Sequence, residues 1–178
     1  PQIVTSTENL HAPFDVIFLS CKAYDLDSAI EAIAPAVGPE TLIVPLLNGI
    51  RHLEQLDERF GRERVAGGLA FVSLTLDPSG EIRHLGKFHR LLVGARTDKQ
   101  KHHLAPLVEL LEKTALEFRQ ADDVEQDMWN KFIYIATLAG ATCSLRAHIG
   151  EILATHGGEA FLLGLLNECA TVAAAFGH

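Results

Sequence analysis

The stretch Phe14-Asp-Val-Ile-Phe-Leu-Ser-Cys21 decides the fold class, because it is almost continuously apolar and is followed directly by Lys22. Such runs are typical of strands that are buried on both faces of a parallel sheet. Residues 41–47 and 65–76 carry two further runs of this kind, and apolar residues at helical spacing separate the three runs. The order β-α-β-α-β over residues 14–76 therefore predicts an α/β fold with parallel strands, since each crossover is long enough to join them.

After residue 76 the pattern changes from α/β alternation to a hairpin and then to helices. The predicted elements are a turn at 77–80, strands at 82–85 and 91–94, a helix at 98–114 and a strand at 116–120. From Asp122 onward the apolar residues have helical spacing. We therefore predict a sheet domain over residues 1–121 and the first part of an all-helical domain over residues 122–178.

The composition argues against several classes of protein. With 48% hydrophobic and 21% charged residues, the 178-residue chain is too apolar to be disordered. Its net charge of −8 argues against a nucleic-acid-binding domain, which is usually basic. The longest uncharged hydrophobic run, residues 132–145, is too short to cross a membrane. Three widely spaced cysteines, Cys21, Cys143 and Cys169, predict reduced, buried thiols in a cytoplasmic protein.

Two polar residues follow the first two predicted strands, at the positions where parallel sheets bind ligands. Lys22 leaves the first strand just before a helix, where its charge adds to the preference of a helix N-terminus for anions. Asn48, in Asn48-Gly49, leaves the second strand. Both residues also have an ordinary explanation, because Lys22 can be a solvated lysine beside Asp25 and Asn-Gly is a common turn. The residues alone leave both explanations open.

A third candidate is Lys131, which falls on the apolar stripe of a helix predicted to start near Asp123. The other members of the stripe are Val124, Met128, Ile135 and Leu138. An ammonium group among such side chains has a lowered pKa, which suits it to proton transfer. The alternative is a lysine that extends to solvent and pairs with Asp127 one turn earlier.

Nine histidines raise the question of a metal site. His148-Ile-Gly-Glu151 and His156-Gly-Gly-Glu159 have ligand-like spacing, but the sequence has neither His-Glu-x-x-His nor a Cys/His cluster, so we predict no metal. No two glycines are separated by a single residue. The chain therefore also lacks the Gly-x-Gly-x-x-Gly loop that binds the pyrophosphate of a dinucleotide.

Three segments contain the candidate residues: Phe14-Asp-Val-Ile-Phe-Leu-Ser-Cys-Lys-Ala-Tyr24, Leu47-Asn-Gly49 and Met128-Trp-Asn-Lys131. Together they resemble the ketopantoate reductase (2-dehydropantoate 2-reductase) family. The resemblance implies a partial Rossmann-type dinucleotide-binding sheet followed by the start of an all-helical domain. It also implies a fragment without the N-terminal glycine-loop βαβ unit and the C-terminal part of the helical domain. The absence of an initial methionine points to a fragment as well.

The resemblance also implies an activity, the reduction of 2-dehydropantoate, a 2-oxoacid, to pantoate by NADPH in pantothenate biosynthesis. Lys22 would bind the cofactor at its adenosine 2′-phosphate, and Asn48 would line the cleft for nicotinamide and substrate in a cofactor-binding and catalytic role. Lys131 would be the catalytic lysine that polarises the ketone and protonates the new alkoxide. The expected partners are the small-molecule 2-oxoacid and a second copy in a homodimer through the helical domain, with no nucleic acid and no membrane.

Two positions depart from the family pattern. The family typically carries asparagines one and two turns after the catalytic lysine, where this chain has Ile135 and Ala139. The departure favours an alternative in which a paralogous reductase acts on a different, less polar carbonyl compound. Another alternative is a non-catalytic dinucleotide-binding module. The joint presence of Lys22, Asn48 and Lys131 argues against that module, since the fold alone needs none of them.

Overall fold

The computed structural model describes residues 13–178 and divides the chain into two compact units between Glu125 and Gln126. The first unit is a mixed α/β assembly and the second is helical, so the predicted fold class is confirmed. The domain boundary predicted near Ala121 lies close to this division and stays a prediction.

The elements of the first unit, in chain order, are β1 (Val16–Leu19), α1 (Leu26–Ile33), β2 (Leu42–Pro45), α2 (His52–Phe60), β3 (Gly67–Leu76), β4 (Ile82–Gly94), α3 (Gln100–Glu112) and β5 (Glu117–Gln120). The helix α4 (Val124–Leu145) begins at the end of this unit and continues into the second, which also contains α5 (Ile149–Ala154) and α6 (Gly158–Ala175). Short 3₁₀ turns follow β1, α1 and α2.

The first two strands pair in parallel, as predicted, with Leu19 opposite Pro45 at their carboxyl ends. All four residues of β2 are buried, which explains the continuous apolar run in its sequence. The crossover helix α1 buries Leu26 and Ile30, which are four residues apart and share one face of a helix. Both strands therefore end at the same edge of the sheet.

The third strand differs from the prediction. Val65, just before β3, forms a single parallel bridge with Ile43 of β2. The strand β3 itself pairs antiparallel with β4 in a long hairpin. The predicted strands at 82–85 and 91–94 are one continuous strand. Gly86, at φ +116°, and a register shift at Val72–Leu74 lie in the outer part of this hairpin. Residues there are exposed on both faces, so no apolar alternation marks a strand in the sequence.

The predicted strand near residues 116–120 is confirmed, because β5 pairs in parallel with the last part of β4. The helix α3 continues through Pro106 to its end at Glu112. The core of this unit consists of Leu42, Val44, Ala66, Leu91, Val93, Leu104, Leu107, Val108 and Leu111. This core fixes β2, from which one loop of the candidate site emerges.

In the second unit, Trp129 of α4 packs against Phe176 and His178, with ring centroids 5.4 and 5.3 Å apart. Within residues 13–178, α6 is the one helix that is long and apolar enough to cross a membrane, judged by length and composition alone. It contains Glu159 and Glu168, and only 11% of it is buried.

The three cysteines are free thiols, but the prediction that they are buried is wrong. Cys143 on α4 is exposed, and Cys21 and Cys169 are half-buried. The prediction rested on the general preference of thiols for protein interiors. Cys143 lies on an exposed face of α4, whereas Cys169 is four residues before the buried Ala173 on α6 and is only partly covered.

Candidate functional site

The first two candidate residues occupy equivalent places at the carboxyl edge of the parallel strands. Lys22 comes three residues after Leu19, and Asn48 comes three residues after Pro45. Leu19 and Pro45 are register partners, so the two loops leave the sheet side by side. Parallel sheets bind ligands at this edge.

The backbone at Lys22 turns directly after the strand. Lys22 is extended, at φ −78° and ψ 153°, and its carbonyl accepts the N–H of Asp25 at 2.9 Å to close a 3₁₀ turn. Its side chain is exposed, and among residues 13–178 it forms no ion pair with Asp25 or any other carboxylate. The preceding residue, Cys21, is half-buried, and burial raises the pKa of its thiol. The ammonium group of Lys22 is therefore available to an anionic ligand.

Asn48 lies in the turn between β2 and α2. Gly49 has a φ of +84°, which L side chains rarely adopt, so the turn needs glycine at this position. Asn48 is exposed, and within the described part of the chain its amide makes no hydrogen bond. Its donor and acceptor groups are thus available to a ligand.

Lys131 has a different environment on α4. Its side chain is buried, with 8% exposed, and its neighbours on the helix, Met128 and Trp129, are 3% and 7% exposed. Burial lowers the pKa of Lys131 below its ordinary value. The deprotonated form is therefore more accessible than in an exposed lysine, as proton transfer requires.

Two positions that follow Lys131 on α4 are apolar, as the sequence indicates, whereas Tyr134 and Thr137 are polar. Ile135, one turn later, is half-buried, and Ala139, two turns later, is exposed. Tyr134 is the nearest polar side chain in this part of the helix and is 59% exposed. This stretch offers aliphatic contacts where an asparagine would offer an amide.

Two of the three candidates belong to the same unit of the structure. Lys22 and Asn48 lie at one edge of the first unit, whereas Lys131 belongs to the second unit. A cavity of about 530 Å³ in the first unit has Val16, His103 and Leu110 in its wall, and none of the three candidates lines it. The candidate site is therefore the open edge of the parallel strands rather than this cavity.

One of the two histidines with ligand-like spacing, His148, has a structural role at a helix start. The N–H of Glu151 donates to His148 Nδ1 at 3.2 Å, and the N–H of His148 donates to Glu151 Oε2 at 3.0 Å. This reciprocal pair caps α5. His156 is exposed, and within residues 13–178 no group of three or more His, Cys, Asp or Glu side chains is placed to hold a metal ion.

Buried polar side chains that the sequence analysis did not identify include those of Arg96 and His52. Arg96 follows β4, and its side chain is 3% exposed and bound to Asp57 and Glu125. His52 is 4% exposed at the start of α2, and within the described residues its Nε2 has no hydrogen-bond partner. Burial, and then the charge of Arg96, lower the pKa of His52 to about 4. The available signal was the position of His52 four residues before the buried Leu56.

Two family models match the chain. The model described as "Ketopantoate reductase PanE/ApbA" matches residues 1–98, which is more than half of the chain. The model described as "Ketopantoate reductase PanE/ApbA C terminal" matches residues 123–178.

The chain is also similar to curated and solved proteins. An uncharacterized oxidoreductase, YkpB, of Bacillus subtilis (strain 168) is 36% identical over 172 residues, which are 97% of this chain and 56% of that protein. The chain thus spans about half the length of this relative. The structure of 2-dehydropantoate 2-reductase from Geobacter metallireducens GS-15 has a TM-score of 0.81 and 26% identity, over 92% of this chain and 54% of that one.

A further solved structure shows likeness of fold alone. The ternary structure of D-mandelate dehydrogenase with NADH and anilino(oxo)acetate has a TM-score of 0.82 at 21% identity. The match covers 95% of this chain and 54% of that one. The fold of this chain therefore occurs in dehydrogenases with different substrates.

Proposed function

Since this chain belongs to the ketopantoate reductase family, we propose that the complete protein reduces a 2-oxoacid of the ketopantoate type to the 2-hydroxyacid with NADPH. The chain spans about half the length of its curated relative, so the activity is assigned to the complete protein. The proposed reaction is that of 2-dehydropantoate 2-reductase, the name carried by the Geobacter relative. It belongs to pantothenate biosynthesis in the cytoplasm.

The observation that carries this proposal is the buried ammonium of Lys131. A bound nicotinamide cofactor would supply a hydride to the ketone carbon, and negative charge would then develop on the ketone oxygen. Lys131 stabilises that charge and donates a proton from Nζ to the oxygen. Its pKa is lowered by burial, which makes the proton easier to give up.

The residues at the sheet edge fit a nicotinamide cofactor. Lys22 offers an exposed ammonium without an ion-pair partner among residues 13–178, and a 2′-phosphate would form a charge-assisted contact with it. Asn48 offers a free amide that can donate and accept, which suits a place beside the nicotinamide and substrate. In this proposal the choice between NADPH and NADH depends on Lys22, since only NADPH carries a 2′-phosphate.

A second candidate function is the reduction of a less polar 2-oxoacid. Ile135 and Ala139 follow Lys131 on α4 and have no polar group to bind a substrate hydroxyl. A site that lacks a hydrogen-bond partner leaves a buried hydroxyl unsatisfied, which lowers the affinity for a hydroxylated substrate. This observation favours substrates with aliphatic or aromatic side chains.

The test is NADPH oxidation by the complete protein with three 2-oxoacids. These are 2-dehydropantoate, 2-oxoisovalerate, which lacks the hydroxymethyl group of 2-dehydropantoate, and phenylglyoxylate, which is aromatic. The highest kcat/KM for 2-dehydropantoate supports the first function, and the highest for either other acid supports the second. The Ile135→Asn variant should shift the preference toward 2-dehydropantoate. No oxidation with any 2-oxoacid would contradict both functions.

A further inference from the structure

A buried arginine joins two helices of the first unit. Arg96 lies just after β4, and its guanidinium donates to both carboxylate oxygens of Asp57 on α2, at 2.7 and 2.9 Å. It also donates to Glu125 Oε1 at 2.9 Å and to the carbonyl of Val65 at 3.1 Å. Burial lowers the pKa of Arg96, but hydrogen bonds with Asp57 and Glu125 outweigh burial, and the net shift is upward. The guanidinium therefore stays charged between the two helices.

Further polar groups complete this cluster. Arg62 donates from Nη2 to both oxygens of Glu125, at 3.0 and 3.1 Å, so this carboxylate lies between two guanidinium groups. Gln100 is fully buried, accepts the N–H of Arg96 at 2.6 Å and donates to the carbonyl of Arg62 at 2.7 Å. Satisfied buried networks hold their members in one geometry. The Arg96 clamp consists of Arg96, Asp57, Glu125, Arg62 and Gln100.

The first turn of α4 is also fixed by packing. Val124 is 1% exposed and lies against Gly67 and Gly94, which are register partners on β3 and β4. A Cβ at Gly94 would lie 2.7 Å from Val124 Cβ, so a larger residue would displace the helix. An apolar anchor at Val124 and an ionic anchor at Glu125 thus hold adjacent residues of α4.

The clamp lies at the start of the helix that carries the proposed acid. The helix α4 is continuous from Val124, and Lys131 comes six residues after Glu125, about 9 Å of helix rise. The helix α2, held through Asp57, begins four residues after Asn48. The guanidinium group of Arg96 therefore binds both α2, which follows Asn48, and α4, which carries Lys131.

We propose that Arg96 and Glu125 are positioning residues for the reduction, because they fix the start of the helix on which Lys131 stands. The inference rests on the proposed function, since it concerns the placement of the proton donor. A misplacement of about 1 Å in reacting groups can lower a rate by about 10²-fold. The clamp thus contributes to kcat without contact with substrate or cofactor.

A double-mutant cycle with Lys131 in the complete enzyme tests this role. Glu125→Ala should lower kcat by about 10-fold or more, while the KM for NADPH should change by less than about twofold. In the Lys131→Ala background the same substitution should change the residual rate by less than about twofold, because no lysine is left to place. Glu125→Gln keeps the acceptor oxygen and should restore much of the rate.

The control is Glu117→Ala, because Glu117 pairs with Arg90 on an exposed part of the sheet, and kcat should not change. If Glu125→Ala does not fold, Arg96→Lys takes its place in the cycle. Lysine keeps the positive charge but lacks the planar guanidinium group that binds a carboxylate through two N–H groups. An equal loss of kcat from Glu125→Ala in the unmodified enzyme and in the Lys131→Ala background, or no loss in either, would overturn the positioning role. The role of Lys131 as the proton donor would then stand. Full activity of Lys131→Ala would instead overturn the proposed function, and the positioning role with it.

Discussion

The two lysines that the sequence singles out have opposite surroundings. Lys22 is exposed at the carboxyl edge of β1 and has no ion-pair partner among residues 13–178. Lys131 is 8% exposed on α4, and burial lowers its pKa. An exposed ammonium suits the binding of an anion, whereas a desolvated one suits proton transfer. The comparison indicates that burial, rather than residue type, separates the proposed binding role of Lys22 from the proposed catalytic role of Lys131.

The largest expected effect is on the buried lysine. Lys131→Ala in the complete enzyme should lower kcat by about 10²–10⁴, the usual contribution of a positioned acid. The affinity for NADPH should barely change, and the variant should still unfold cooperatively, since alanine is the best helix former. Steady-state kinetics and a thermal melt measure both quantities.

The matched control for this variant is Lys101→Ala, because Lys101 is exposed and pairs with Asp98 on the surface. Its kcat should equal that of the unmodified enzyme. Near-normal turnover of Lys131→Ala would instead show that Lys131 is a structural lysine and not the proton donor.

A second buried titratable group sharpens the comparison. His52 has a pKa of about 4 in the folded chain, against 6.5 ordinarily, because of burial and then the nearby charge of Arg96. The unfolded chain therefore binds the proton more readily, and the free energy of unfolding should fall as the pH decreases from about 6.5 to 4. The loss from this group is on the order of 3 kcal/mol.

His52→Leu should remove this part of the pH dependence. Urea unfolding at pH values across this window compares its slope with that of the unmodified chain and of His156→Gln, which changes an exposed histidine. An unchanged slope in His52→Leu would show that His52 is not the group responsible.

A smaller effect is expected where α4 meets the sheet. Gly94→Ala places a Cβ 2.7 Å from Val124 Cβ and should lower the free energy of unfolding by about 1–3 kcal/mol. Gly164→Ala is the matched control, because Gly164 lies inside α6 with no atom within 4 Å of an added Cβ. That variant should raise the stability by about 0.5–1 kcal/mol, and equal effects of the two substitutions would argue against close packing at Gly94.

The smallest effect is expected for the exposed lysine. Lys22→Ala should weaken NADPH more than NADH, by about 1–2 kcal/mol for one charge-assisted contact. Titration calorimetry of the complete protein measures both affinities, with Lys113→Ala as an exposed control on another loop. Equal losses for the two cofactors would show that Lys22 does not meet the 2′-phosphate.

The sequence predicts the part of the site that depends on strand order. The runs that become β1 and β2 are apolar because both faces are buried, and the positions of Lys22 and Asn48 follow from the common edge of parallel strands. The hairpin of β3 and β4 is not predicted in full, because its outer part is exposed on both faces.

The Arg96 clamp could not be predicted from the sequence. Asp57 and Glu125 lie 39 and 29 residues from Arg96, and no local spacing links residues so far apart. His52 was missed for a related reason, since a helical pattern places it on the buried face but does not show that it lacks a partner. Long-range polar contacts depend on the packed structure rather than on periodicity.

The pKa of Lys131 in the folded protein tests most directly whether burial makes this lysine the proton donor. An NMR titration of carbon-13-labelled lysine side chains measures it, and the Lys131→Arg variant assigns its signal. Desolvation of the ammonium predicts a pKa below 10.5. A pKa at or above 10.5 would contradict this and would indicate that a nearby carboxylate outweighs burial.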